Sequence, residues 1–114
     1  MSNEVEFEYT GKEEREDVPK DVTIVRFHSS VEEVSNSMFR ECERLKVVVL
    51  NEELQKIGTS SFWKCRSLES ITFPSTVTEV DECAFFSCYN LKTVILNEGL
   101  KTIGGGAFAS ACCK

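Results

Sequence analysis

The chain has 114 residues, 41% hydrophobic and 28% charged, with a formal net charge of −6. That length predicts one domain of modest stability, and no apolar run approaches the roughly 18 residues of a membrane span. Residues 1–21 carry eight acids against three bases and the other 93 carry eleven acids against ten bases, so neither part offers the basic patch that phosphate-backbone binding requires.

The chain opens MSNEVEFEYTGKEE, polar and acidic. It has neither the basic n-region and apolar h-region of a secretory signal nor the composition of a transit peptide, which favours a cytoplasmic protein. Residues 5–9 (VEFEY) alternate apolar and polar, the pattern of a half-buried strand, and Thr10-Gly11 ends it. This strand is expected to cap the first coil of the body downstream. The competing reading is a disordered tail, favoured by the fully charged KEERED at residues 12–17. Pro19 marks entry into the body, so the expected division is an acidic lead-in at 1–21 and a repeat body at 22–114.

The body repeats every 23 residues without insertion, in units 22–44, 45–67, 68–90 and 91–114. Apolar columns run through it: Val22, Leu45, Leu68, Leu91; Val25, Val48, Ile71, Val94; Phe39, Phe62, Phe85, Phe108. Cys42, Cys65 and Cys88 form another column, so they read as reduced, buried repeat positions and not as a disulfide framework. Such a period means a solenoid, because each unit exposes an apolar side that only the next unit covers. Within a unit, Ile71 and Phe73 have strand spacing and Pro74-Ser75 turns the chain. Val77 and Val80 line a second side, and Phe85 and Cys88 stand at the spacing of a helical or 3₁₀ turn. Strands of successive coils are expected to pair in parallel.

Residues 73–91 read F-P-x-x-V-x-x-V-x-x-x-A-F-x-x-C-x-x-L. This string resembles the BspA-type leucine-rich repeat, over roughly residues 22–114. The resemblance implies a leucine-rich-repeat solenoid, an α/β-type repeat protein of about four coils with a parallel strand ladder and short helical or 3₁₀ turns. It also implies roles in adhesion and protein interaction, with no shared catalytic residues. The chain departs from the pattern at Met38, in place of Ala, at the additional thiol of Cys83, and in its ending ASACCK.

Chemistry has little to work with. The single histidine, His28, falls in a corner column with Asn51, Pro74 and Asn97, a position for a solvated side chain and not for a convergent catalytic group. Gly104-Gly105-Gly106 does not sit between a strand and a helix, so it reads as a turn and not a phosphate loop. Cys112-Cys113 and the pair Cys83 and Cys88 lack zinc-knuckle spacing. No cofactor, metal or enzymatic activity is expected. Cys112 and Cys113 are the expected sites of oxidation or intermolecular linkage.

Two surfaces are candidates for binding a protein partner. Outward strand positions include Arg26, Val47, Val49, Thr72, Thr93 and Ile95, which form either an ordinary exposed sheet or a shallow apolar groove. The turn side carries Arg40, Trp63 and Phe86 in one column with Tyr89 nearby. These are residue types of interaction hot spots, or a stack that shields the coil boundary. The last coil has no evident cap, which leaves three readings: a segment of a longer array, self-association through the open edge, or fraying. Together these features point to a protein-interaction module. The alternative is a structural segment of a longer adhesin-like repeat protein.

Overall fold

A unit of short strands and corners has no side of its own on which to bury its valines and leucines, so it must stack on a copy of itself. The computed structural model, described over residues 4–109, shows this stacking as a parallel-strand solenoid of about three turns. Its strands are β1 Glu6–Tyr9, β2 Ile24–Phe27, β3 Glu33–Val34, β4 Val47–Val49, β5 Lys56–Ile57, β6 Ser70–Thr72, β7 Glu79–Val80, β8 Thr93–Ile95 and β9 Thr102–Ile103. Within the repeats the pairing register is the sequence period: Ile24 opposes Val47, Lys56 opposes Glu79 and Ser70 opposes Thr93. The lead-in contributes β1, which pairs parallel with β2, Tyr9 opposite Phe27.

Two strand ladders run along the axis. The second, β3-β5-β7-β9, is continuous. The first is broken into β1-β2-β4 and β6-β8. The remaining side of each coil is a single turn, as the Phe–Cys spacing implies. Its i to i−3 bond is present, as in Cys65 N–H to the Phe62 carbonyl at 3.3 Å. It does not extend into a regular helix, because left-handed residues flank that bond. Ser60 and Lys64 have φ of 55° and 59°, and their repeat mates Ser37, Glu41, Cys83 and Ser87 do the same. Each costs roughly 1 kcal/mol of backbone strain. What it gains is a third set of inter-coil bonds. Phe39 N–H donates to Ser61 O at 2.8 Å, Phe62 N–H to Ala84 O at 2.8 Å and Phe85 N–H to Ala107 O at 2.7 Å.

The core is one cluster threaded by the phenylalanine column. Phe39–Phe62, Phe62–Phe85 and Phe85–Phe108 stack at centroid distances of 5.4, 5.1 and 5.2 Å. Tyr9 closes the stack edge-on, 5.4 Å from Phe39, and its hydroxyl lies 3.1 Å from Ser35 Oγ. Cys42, Cys65 and Cys88 are free and buried, as their periodicity predicts. The Cys65 and Cys88 thiols donate to the Phe39 and Phe62 carbonyls at 3.2 and 3.1 Å. Gly58 sits where the coils pass closely, and a Cβ there would overlap the Val34 carbonyl.

Candidate functional site: the ladder groove and the turn face

The break in the first ladder coincides with a change of corner residue. Where coils one and two meet, the Asn51 side-chain amide donates to Ser29 O and Val31 O at 3.1 and 2.8 Å. Where coils three and four meet, Asn97 does the same to Ser75 O and Val77 O at 3.0 and 2.9 Å. The residue of this column between coils two and three is Pro74, which has no amide group to give. Among the described residues no donor reaches the matching carbonyls of Glu52 and Leu54. The backbone bonds alongside are missing too. Lys92 and Thr93 N–H both donate to Glu69 O, at 2.9 and 3.3 Å, but no equivalent runs from Glu69 and Ser70 to Lys46 O. The other two sides stay bonded across the same boundary, for example Thr78 N–H to Gln55 O and Phe62 N–H to Ala84 O.

The result is a groove of about 280 Å³ between β4 and β6, lined by Val47, Val48, Val49, Leu50, Thr72 and Pro74 among others. Val48 is half-buried, as is Val94 in the last coil, whereas Val25 and Ile71 of the same column are 0% and 2% exposed. Val47 and Val49 stand at the rim, 45% and 42% exposed. Both strands present unpaired backbone toward the gap. The groove therefore combines apolar walls with backbone hydrogen-bonding groups that strand pairing leaves unused.

The remaining ladder candidates are differently placed. Arg26 is held by Glu6, Nε to Oε1 at 2.9 Å. Thr93 and Ile95 lie on β8, opposite Ser70 and Thr72, with Ile95 54% exposed. Ile24, in the outward column, is buried all the same.

The turn face brings its candidates together as a stack. Trp63 and Phe86 lie near-parallel, 6.3 Å apart at 11°. The Arg40 guanidinium sits 4.3 Å from the Trp63 ring centre and the Lys64 ammonium 4.7 Å from it. Trp63 and Phe86 are half-buried, whereas Tyr89 is exposed with Arg66 5.9 Å from its ring. Trp63 thus already has aromatic and cationic neighbours, each such contact contributing about 0.5–1 kcal/mol or more.

His28 is exposed at its corner. Its Nδ1 accepts from Ser30 N–H at 3.1 Å and lies 2.7 Å from Ser30 Oγ, a local turn contact. Among the described residues no third group orients the ring, and no cluster of three or more His, Cys, Asp or Glu side chains is placed to hold a metal. No helix in the same range is long and apolar enough to cross a membrane. Cys83 is half-buried, and the expectations placed on Cys112 and Cys113 lie outside the described residues.

The sequence offered a shallow apolar groove on this ladder, with Val47, Val49 and Ile95, but not its position at the β4–β6 boundary, for which the signal was a proline in a corner column that carries asparagine on either side, at Asn51 and Asn97. Comparison with known proteins places the fold. A family model described as "BspA type Leucine rich repeat region (6 copies)" matches residues 19–114. A solved leucine-rich repeat protein from T. pallidum superposes with a TM-score of 0.79 at 31% identity, covering 92% of this chain and 47% of that one. One from Bacteroides ovatus ATCC 8483 gives 0.75 at 29% identity, over 78% of this chain and 23% of that one. The chain therefore spans about half and about a quarter of these two. No curated protein matches it.

Proposed function

The chain belongs to the BspA-type leucine-rich repeat family, and on that premise we propose that it is a protein-interaction module whose ladder groove receives a partner. The observation that carries this is the unbonded β4–β6 boundary, with Val47 and Val49 exposed at its rim. A partner's apolar side chain would enter between the strands while its backbone meets their free N–H and C=O groups. The turn face is the weaker docking surface, because Trp63 is already stacked on Phe86 and covered by Arg40 and Lys64. On this reading the chain binds and does not catalyse.

A binding screen with the immobilised chain tests this, run beside Val49→Glu and Trp63→Ala, each checked for native melting. A partner retained by wild type and Trp63→Ala but lost by Val49→Glu is the expected result. Loss with Trp63→Ala and retention with Val49→Glu would move the site to the turn face. A second reading, a structural segment of a longer array, is favoured by the small share of the solved relatives that the chain spans. It predicts that neither variant changes what is bound.

A further inference from the structure

The groove between β4 and β6 changes in character from end to end. Along the strands it is uncharged: Val47 and Val49 stand exposed at one rim, and Ser70 and Thr72 are exposed across the gap. The two valines lie about 6.6 Å apart along an extended strand. That is also the spacing of same-side side chains on any extended segment laid along the groove. Among the residues that line it, charge enters only at the ends, from Lys46 ahead of β4 and Glu52 beyond it.

The Lys46 end is electrically mixed, because Lys46, Glu69 and Lys92 follow one another in one exposed column. The corner end is not. Glu52, Glu53 and Glu98 are exposed there, and every other residue of their two columns is Ser, Thr or Gly. None of the three acids has an ion-pair partner among the described residues. The next base along that coil, Lys56, is turned to Glu79 and Asp81, at 3.9 and 3.5 Å. An apolar stretch that leads to an uncompensated acidic corner complements a partner with a cation beyond its apolar side chains. The strand backbone left unused alongside favours an extended chain over a small cation, since it offers partners to that chain's N–H and C=O groups.

We propose that the groove takes an extended protein segment with aliphatic side chains at two positions two apart, flanked by a Lys or Arg about three residues away, as Glu52 is from Val49. This rests on the ladder groove being the docking site. The aliphatic side chains lie on Val47 and Val49, and the cation meets Glu52 and Glu53. An acid at the segment's other end gains little, because Glu69 repels what Lys46 attracts.

The test selects peptides from a randomised display library on the immobilised full chain. Two variants at exposed positions run beside it, Glu52→Lys with Glu53→Lys, and Val49→Glu, each with native melting confirmed first. Wild type is expected to enrich spaced aliphatic pairs flanked by Lys or Arg. The double variant should enrich the same aliphatic pattern with Asp or Glu in place of the base, and Val49→Glu should enrich neither. A synthetic copy of the best wild-type binder should lose about two- to fivefold in affinity when its base becomes Gln. That difference should vanish in about 1 M salt, and the comparison needs no variant of the chain. Aliphatic peptides with no charge preference, an unchanged base preference in the double variant, or equal affinity for the Gln peptide would overturn this proposal and leave the groove as the docking site. Enrichment of the same peptides by Val49→Glu, or of none by wild type, would overturn both.

Discussion

Cys42, Cys65 and Cys88 share a column but not an environment. Cys65 and Cys88 give their thiol protons to the phenylalanine carbonyls of the coil before them. Cys42 heads the column and has no such carbonyl ahead of it. Burial pushes its pKa from 9.0 up to about 11, opposed in part by the Arg15 guanidinium. Burial likewise pushes the Cys65 thiol up. An unfolded thiol ionises near 9.0, the folded Cys42 near 11, so between those values the folded state keeps a proton that the unfolded state has released. Stability is full below about pH 9 and falls as pH rises toward 11, with a ceiling of about 2–3 kcal/mol from this residue. Thermal melts across that range should show a falling midpoint. Cys42→Ala, although less stable at neutral pH, should show a shallower fall. Parallel curves for the two proteins would mean that Cys42 does not drive the loss.

At the scale of one element, the first ladder depends on its corner residue as much as on its strands. β4 is three valines and β6 is Ser-Ile-Thr, both strand-forming, yet they do not pair. Asn51 and Asn97 tie their coils together with two bonds each, and Pro74 ties nothing. Pro74→Asn therefore should bond Glu52 O and Leu54 O, draw β6 onto β4 and bury Val48. Two hydrogen bonds at about 1 kcal/mol each, less the loss of proline's rigidity in the unfolded chain, predict a rise of a few degrees in melting temperature. New amide-exchange protection at Leu50, Glu69 and Ser70 should accompany it. If the midpoint drops and these amides still exchange freely, the break has a cause other than the missing amide. The same variant should fill the groove and so weaken any partner that uses it.

For the whole molecule, the period of 23 made the stacking, the parallel ladders, the phenylalanine column and the buried cysteines legible, because each comes from one residue type recurring in phase. The left-handed turn residues were mostly hidden, being Ser, Glu, Lys and Cys in the first three coils, with a glycine, Gly106, marking the position only in the last. The place of the groove was legible only in Pro74, the proline between Asn51 and Asn97 in the corner column. Stacking of this kind also sets how damage spreads. Each coil touches only its neighbours, so stability is a chain of nearest-neighbour terms. Phe62 stacks on two rings, Phe39 and Phe85, and is 0% exposed. Phe108 stacks on Phe85 and is half-buried. Phe62→Ala should cost about 3–5 kcal/mol for the lost side chain and its cavity, a large part of the total stability of a domain this size. It also cuts the column at the boundary where the first ladder is already unbonded. Phe108→Ala should cost about half as much and should loosen the last coil alone. In amide exchange, Phe108→Ala would speed exchange at β9 and leave β2 and β3 protected, whereas Phe62→Ala would speed exchange on both sides of the cut. Uniform loss of protection in both variants would mean that the coils unfold as one unit, with the coupling between them stronger than any single coil.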